Sequence, residues 1–86
     1  MSELARFYGI IIRMYHDDHP PAHFHVQYGE HHAQMTIAEL TVLNGYLPPR
    51  ALGLVAEWAS LHRAELMDRW HAAENLERLT RIDPLP

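Results

Sequence analysis

The sequence predicts an α+β fold: an antiparallel sheet of four to five strands with one long C-terminal helix packed on one face. Three strand-like runs, at residues 7–15, 22–28 and 31–37, either alternate apolar and polar residues or are rich in β-branched residues. A glycine turn joins the last two runs, and a helical spacing of apolar residues follows. Since 86 residues suffice for one domain, we expect residues 1–86 to form a single domain.

The first predicted strand is residues 7–15, FYGIIIRMY, a β-branched and aromatic run typical of a central strand. Its side chains alternate between two faces, with Ile10 and Ile12 on one face and Arg13 and Tyr15 on the other. The next segment, HDDHPPA, cannot continue the strand because proline has no amide hydrogen to donate. We therefore expect a loop there.

The runs at 22–28 and 31–37 form a predicted hairpin. Between them, Gly29-Glu30 places glycine at the first turn position, as a type II′ turn prefers. This turn fixes six cross-strand pairs: Tyr28 with His31, Gln27 with His32, Val26 with Ala33, His25 with Gln34, Phe24 with Met35, and His23 with Thr36. The apolar faces of both strands coincide in this register, which supports it independently.

The second half of the chain contributes one short strand and the helix. Residues 41–43 are apolar and are followed by Asn44-Gly45, which predicts a turn. Proline is tolerated in a first helical turn, so we expect the helix to start at Pro48 or Pro49 and to run to about residue 75. The centre of its apolar arc is Ala51, Val55, Trp58, Ala59, His62 and Leu66. Residues 78–82 are a candidate edge strand.

Composition excludes several functional classes. Without cysteine the chain has no disulfide, thiolate metal site or cysteine nucleophile. It has neither an apolar run of membrane-spanning length nor a signal-peptide core, so we expect a cytoplasmic protein with no membrane partner. The net charge of −4 opposes general binding to nucleic acid at neutral pH. Only a local cluster of Arg6, Arg13 and Arg50 would favour it.

The segment HDDHPPAHFH, residues 16–25, concentrates four histidines and two aspartates. His23 and His25 share a strand face with Cα atoms about 6.5–7 Å apart, so that both imidazoles can reach one metal ion. His19 or Asp18 (or its neighbour Asp17) can supply a third ligand from the loop. Such a set suits zinc or another divalent ion, which is the candidate cofactor. The alternatives are a solvated or partner-binding polar face, with the aspartates holding the turn.

A second functional interpretation of the strand face that carries His23 and His25 is acid-base catalysis on RNA. His25 (or His23) would act as the base, Arg13 would stabilise phosphate charge, and Tyr15 would lie nearby. These residues lie together if the face carrying Ile10 meets the helix, which the sequence leaves open.

Three segments, RFYGIIIRMY, DDHPPAHFHVQYGEH and LPPRALGLVAEWASLHRAEL, together resemble a small bacterial family catalogued as a domain of unknown function, DUF4160. The resemblance implies an unassigned activity and a gene lying beside another small gene, in two-gene modules that look like toxin-antitoxin pairs. We therefore expect an interaction component that binds a small protein from the same module. Leu54, Leu61 and Met67, outside the centre of the helical arc, would also suit a homodimer. The alternative is a histidine-dependent enzyme, either a metal-assisted hydrolase or an endoribonuclease-like toxin.

Overall fold

The computed structural model describes residues 2–86, which form a five-stranded antiparallel sheet and two helices. The strands, in the order in which they lie across the sheet, are β1 (Ser2–Phe7), β2 (Ile10–Met14), β3 (His23–Tyr28), β4 (His31–Thr36) and β5 (Val42–Gly45). The helices are α1 (Pro49–Leu61) and α2 (Arg63–Glu74). The α+β class and the antiparallel sheet are confirmed, whereas the single long helix is corrected to two.

The predicted strand at 7–15 is in fact a tight hairpin. Tyr8 and Gly9 have φ angles of 49° and 79°, and positive values at both central positions are those of a type I′ turn. The strand that precedes the turn, β1, was not predicted. Within residues 7–15, only Gly9 indicates a turn, because the residues around it all favour strands.

The hairpin of β3 and β4 has all six predicted pairs. Gly29 has a φ of 58° while Glu30 is not in the left-handed region, which agrees with the predicted type II′ turn. On β2, Ile10 and Ile12 are fully buried in the core shared with the helices. Arg13 therefore lies on the opposite face of the sheet, where it pairs with His25.

Strand β5 includes the two residues that were predicted to form a turn. Asn44 pairs with Gln34 and Gly45 pairs with Ala33, so the predicted turn at this dipeptide is wrong. Gly45 has a φ of 85°, and a Cβ at this position would collide with the carbonyl oxygen of His32. Glycine is needed here because the backbones approach too closely for a side chain.

The predicted helix is interrupted by one residue, His62, with φ −123° and ψ 24°. Helical bonding resumes at once, since Leu66 N donates to the His62 carbonyl oxygen at 2.9 Å. A one-residue break preserves the apolar spacing, which is why the periodicity did not detect it. The other five residues of the predicted arc are buried: Ala51, Val55, Trp58, Ala59 and Leu66. His62 itself is hydrogen-bonded to Glu65 and packs on Trp58.

The C-terminal segment forms no strand, so the predicted edge strand at 78–82 is wrong. It is held instead by buried side chains, which are Leu79, Ile82 and Leu85. One backbone bond joins it to β1, from Ile82 N to Leu4 O at 2.8 Å, and Trp58 Nε1 donates to Asp83 O at 2.8 Å. The segment therefore runs beside the β1 edge of the sheet. Neither α1 nor α2 is long and apolar enough to cross a membrane.

Two glycine substitutions should have opposite effects on stability. Gly45→Ala should destabilise the fold by at least about 1–3 kcal/mol, because alanine is strained at a left-handed φ and would meet β4. Gly53→Ala, at an exposed site in α1 with open space around it, should stabilise the fold by about 0.5–1 kcal/mol. Urea unfolding of both variants measures the free energies, and a stabilised Gly45→Ala would contradict the β5 pairing.

Glu3 should make stability depend on pH in the acid range. Hydrogen bonds from Arg6 and Arg81 lower the pKa of Glu3 from 4.5 to about 2. The contribution of ionised Glu3 to the free energy of unfolding is therefore complete above about pH 4.5 and is lost as the pH falls towards 2. Glu3→Gln should lower the melting temperature slightly at pH 7 and not at pH 2, whereas Glu30→Gln, at the exposed hairpin turn, should leave it unchanged at both. A Glu3→Gln deficit of equal size at both pH values would refute this.

Candidate metal centre

The loop between β2 and β3 brings a carboxylate onto the start of β3. Asp17 has a φ of 64°, a left-handed conformation that aspartate tolerates better than most residues. The following residue, Asp18, places its Oδ2 atom 2.7 Å from His25 Nε2 and 3.3 Å from His23 Nε2. One oxygen of the loop thus faces two imidazoles of the strand.

The three side chains are grouped closely enough to hold a metal ion. The candidate ligand atoms of Asp18, His23 and His25 all lie within 4.8 Å of one another. In a tetrahedral zinc site the ligands are about 2.0–2.1 Å from the ion and hence about 3.3 Å from each other. The separation of His23 from Asp18, 3.3 Å, already has that value. His25, at 2.7 Å, would need to move outward by about 0.6 Å.

The ring of His23 is fixed in the orientation that ligation requires. Its Nδ1 donates to the carbonyl oxygen of Pro21 at 2.8 Å, because a carbonyl oxygen can only accept. In the neutral ring, Nε2 then carries a lone pair, and this lone pair faces the Asp18 carboxylate. A backbone carbonyl on the second ring nitrogen is the usual orienting partner of a metal-bound histidine. The ring is 4% exposed and packs on Trp70 of α2, with centroids 5.3 Å apart.

The other two candidate ligands reach solvent. The side chains of His25 and Asp18 are 20% and 24% exposed. The rings of His25 and Tyr15 pack in a T-shaped arrangement, with centroids 4.3 Å apart. Three candidate ligands, two of them partly exposed, would leave a coordination position for water or substrate, as catalytic zinc sites do and closed structural sites do not.

A row of polar residues crosses the uncovered face of the sheet at His25. Register places Arg13, His25, Gln34 and Asn44 side by side on four successive strands, with neighbouring Cβ atoms about 4.5–5.5 Å apart. They line a cavity of about 190 Å³ together with Tyr15, Val26, Gln27, His32, Ala33 and Gly45. Arg13 Nη1 donates to Gln27 Oε1 at 2.6 Å. We call this cavity the polar pocket.

A second cavity, of about 320 Å³, lies on the Asp18 side of the cluster. Its lining contains three carboxylates, those of Asp17, Asp18 and Glu74. Tyr15 lines both cavities. We call this second cavity the acidic pocket.

The structure brings most of the predicted site residues together. Arg13, Tyr15 and His25 line one cavity, and Asp18, His23 and His25 form the metal-type cluster. His19 is exposed and is not a member of that cluster. Neither Arg6 nor Arg50 lines the polar pocket beside Arg13.

Sequence reasoning missed three residues of the site. Gln34 could have been found, because the predicted register already placed it opposite His25. Asn44 was hidden by its assignment to a turn. No local pattern connects Trp70 with His23, since only the packing of α2 brings the two rings together.

Comparison with known protein families gives a match that covers most of the chain. The family described as "Domain of unknown function (DUF4160)" matches residues 9–71, a range that covers nearly three quarters of the chain and all residues of the metal-type cluster. No curated protein and no solved structure shows significant similarity to the chain. From the extent of the family match, the chain belongs to the DUF4160 family.

Proposed function

We propose that this protein binds one zinc ion, or an equivalent divalent metal, through Asp18, His23 and His25 and uses it for metal-assisted hydrolysis. The proposal is carried by one observation: the three ligand atoms lie within 4.8 Å of one another. Two imidazoles and a carboxylate form a donor set that suits zinc and iron.

The alternative of a merely solvated polar face explains the cluster less well. His23 is 4% exposed, and a buried polar ring is unlike the exposed histidines of a solvated strand face. Its Nε2 lies 3.3 Å from Asp18 Oδ2, so a positive charge between these two atoms would stabilise the arrangement. Either a proton on Nε2 or a metal ion supplies such a charge, and the zinc titration below distinguishes the two.

Hydrolysis is proposed because the solvent-exposed side of the cluster leaves room for a water molecule on the metal. Zinc held by these three side chains would supply a bound water whose pKa is lowered to about 7, and so hydroxide near neutral pH. Carboxylates that could accept the proton lie in the acidic pocket, where Asp17 and Glu74 stand beside the ligand Asp18.

Zinc titration of the untagged protein tests the proposal. Wild type should bind one zinc per chain, and Asp18→Asn, His23→Ala and His25→Ala should each weaken zinc binding by more than tenfold, since loss of even an outer-shell partner typically costs 10–100-fold. Calorimetry gives the affinity, and elemental analysis gives the stoichiometry.

His19→Ala is the matched control, because it removes a histidine of the same loop that lies outside the cluster. It should bind zinc like wild type. Wild-type affinity no tighter than about millimolar, or equal binding by the three ligand variants, would refute the metal site.

A second candidate function is binding of a small partner protein, as the family resemblance leads us to expect. The observation in its favour is the edge strand β5, which pairs only with β4 among residues 2–86. Its residues Val42 and Leu43 are 40% and 46% exposed, and Tyr46 beyond it is 60% exposed. An exposed apolar edge strand is a common place for a second chain to add a strand.

Co-purification with the product of the neighbouring gene tests this candidate. Leu43→Lys should abolish the complex if the partner pairs with β5, whereas Leu61→Lys, on exposed α1 surface, should not. Loss of the complex only with Leu61→Lys would place the partner on the helix instead. If the purified chain alone is a dimer that Leu43→Lys dissociates, the occupant of the edge is a second copy.

A further inference from the structure

The two cavities beside the metal-type cluster carry opposite charge. Among residues 2–86, the polar pocket is lined by one arginine, two histidines and three residues with side-chain amides, and by no acidic residue. In the same range, the acidic pocket is lined by three acidic residues and no basic one. The chain has eleven acidic and seven basic residues, so the positive charge of the polar pocket contrasts with the negative net charge of the chain. A ligand that approaches through the polar pocket therefore meets positive charge and hydrogen-bond donors.

Arg13 is the source of that charge. Its hydrogen bond goes to the neutral amide oxygen of Gln27, at 2.6 Å, and none of the ion pairs found within residues 2–86 includes it. A guanidinium has five N–H donors, so most of them remain available. Charge-assisted bonds from such a group to phosphate are about twice as strong as neutral ones.

The other donors converge on the same cavity. Register places His25 next to Arg13 and Gln34 next to His25, and Asn44 completes the row on β5. Gln34, Asn44 and Tyr15, whose side chains carry hydrogen-bond donors, all line the pocket. Several donors around one small cavity suit a group with several acceptor oxygens better than a carboxylate with two.

We propose that the polar pocket is the substrate subsite and that it binds the phosphoryl group of a phosphate ester next to the metal. This proposal rests on the metal site proposed above for its chemistry, although the pocket itself consists of residues other than Asp18 and His23. His25 is the shared element, since it is both a ligand and a member of the polar row.

The reaction is hydrolysis of the ester. A water oxygen forms a bond to phosphorus while the bond from phosphorus to the alcohol oxygen breaks. One water proton ends on the departing alcohol, and the other stays on the new P–OH group. Arg13 would stabilise the charge that develops on the equatorial phosphoryl oxygens, as cationic groups do in phosphoryl transfer.

Titration with inorganic phosphate tests the subsite on both zinc-loaded and metal-free protein. Binding is followed by NMR through the side-chain amide signals of Gln34 and Asn44. Arg13→Gln should weaken phosphate binding by about tenfold or more in both forms, which is the loss expected for one charge-assisted hydrogen bond. Arg78→Gln, the same charge change at an exposed site outside the pocket, should leave phosphate binding unchanged. Acetate should bind more weakly than phosphate.

The outcomes separate this proposal from the metal site. Zinc binding that is normal in Arg13→Gln, together with weakened phosphate binding, supports both. If zinc binds but phosphate affinity is equal in wild type and Arg13→Gln, the subsite is refuted and the metal site stands. If phosphate binds through Arg13 and zinc does not bind, phosphate recognition by the polar pocket stands, whereas the metal site and the hydrolysis of the ester are refuted. Acetate binding as tight as phosphate binding would overturn the phosphoryl assignment.

The rate of ester hydrolysis provides a further test of the role of Arg13. Zinc-loaded wild type should hydrolyse p-nitrophenyl phosphate, and Arg13→Gln should lower kcat/KM about tenfold or more while leaving hydrolysis of p-nitrophenyl acetate unchanged. An equal loss on both substrates would show that Arg13 supports the metal site rather than the phosphoryl group and would overturn its assigned role.

Discussion

Burial of one face of the sheet beneath the helices is the constraint on which the rest of the structure depends. The core contains one face of β2, β3 and β4 together with the apolar sides of α1 and α2. Side chains alternate along a strand, so a slip of one residue in any pairing would exchange the buried face with the exposed one. The six pairs between β3 and β4 therefore decide, with a single register, which residues of these two strands enter the core and which enter the polar row.

The candidate site contains one residue whose burial departs from the alternation of buried and exposed side chains. His23 belongs by alternation to the polar face, yet it is buried, because Trp70 of α2 packs against its ring. A buried imidazole needs hydrogen-bond partners, and Pro21 O satisfies one of its nitrogens. The other nitrogen points at Asp18. The packing of α2 thus converts one strand histidine from a solvated residue into a fixed one.

The two functional proposals use different parts of the same sheet. The metal cluster lies at the start of β3, where the loop after β2 returns, whereas β5 forms the edge beyond β4. The C-terminal segment runs beside the opposite edge, where Ile82 bonds to Leu4. Partner binding at β5 would leave the ligands untouched, although Asn44 and Gly45 belong to both the strand and the polar pocket. A partner there would therefore border the pocket.

Local patterns by themselves determined the α+β class, the β3–β4 register and the placement of His23 and His25 on one strand face, because alternation, turn chemistry and spacing are properties of neighbouring residues. They did not determine the turn at Tyr8-Gly9 or the break at His62, since both lie inside runs whose spacing continues across them. The side of β2 that meets the helices, the burial of His23 against Trp70 and the place of Asn44 in the polar row were decided only by the tertiary structure. Each depends on contacts between segments far apart in the chain, and these contacts form only when the core closes.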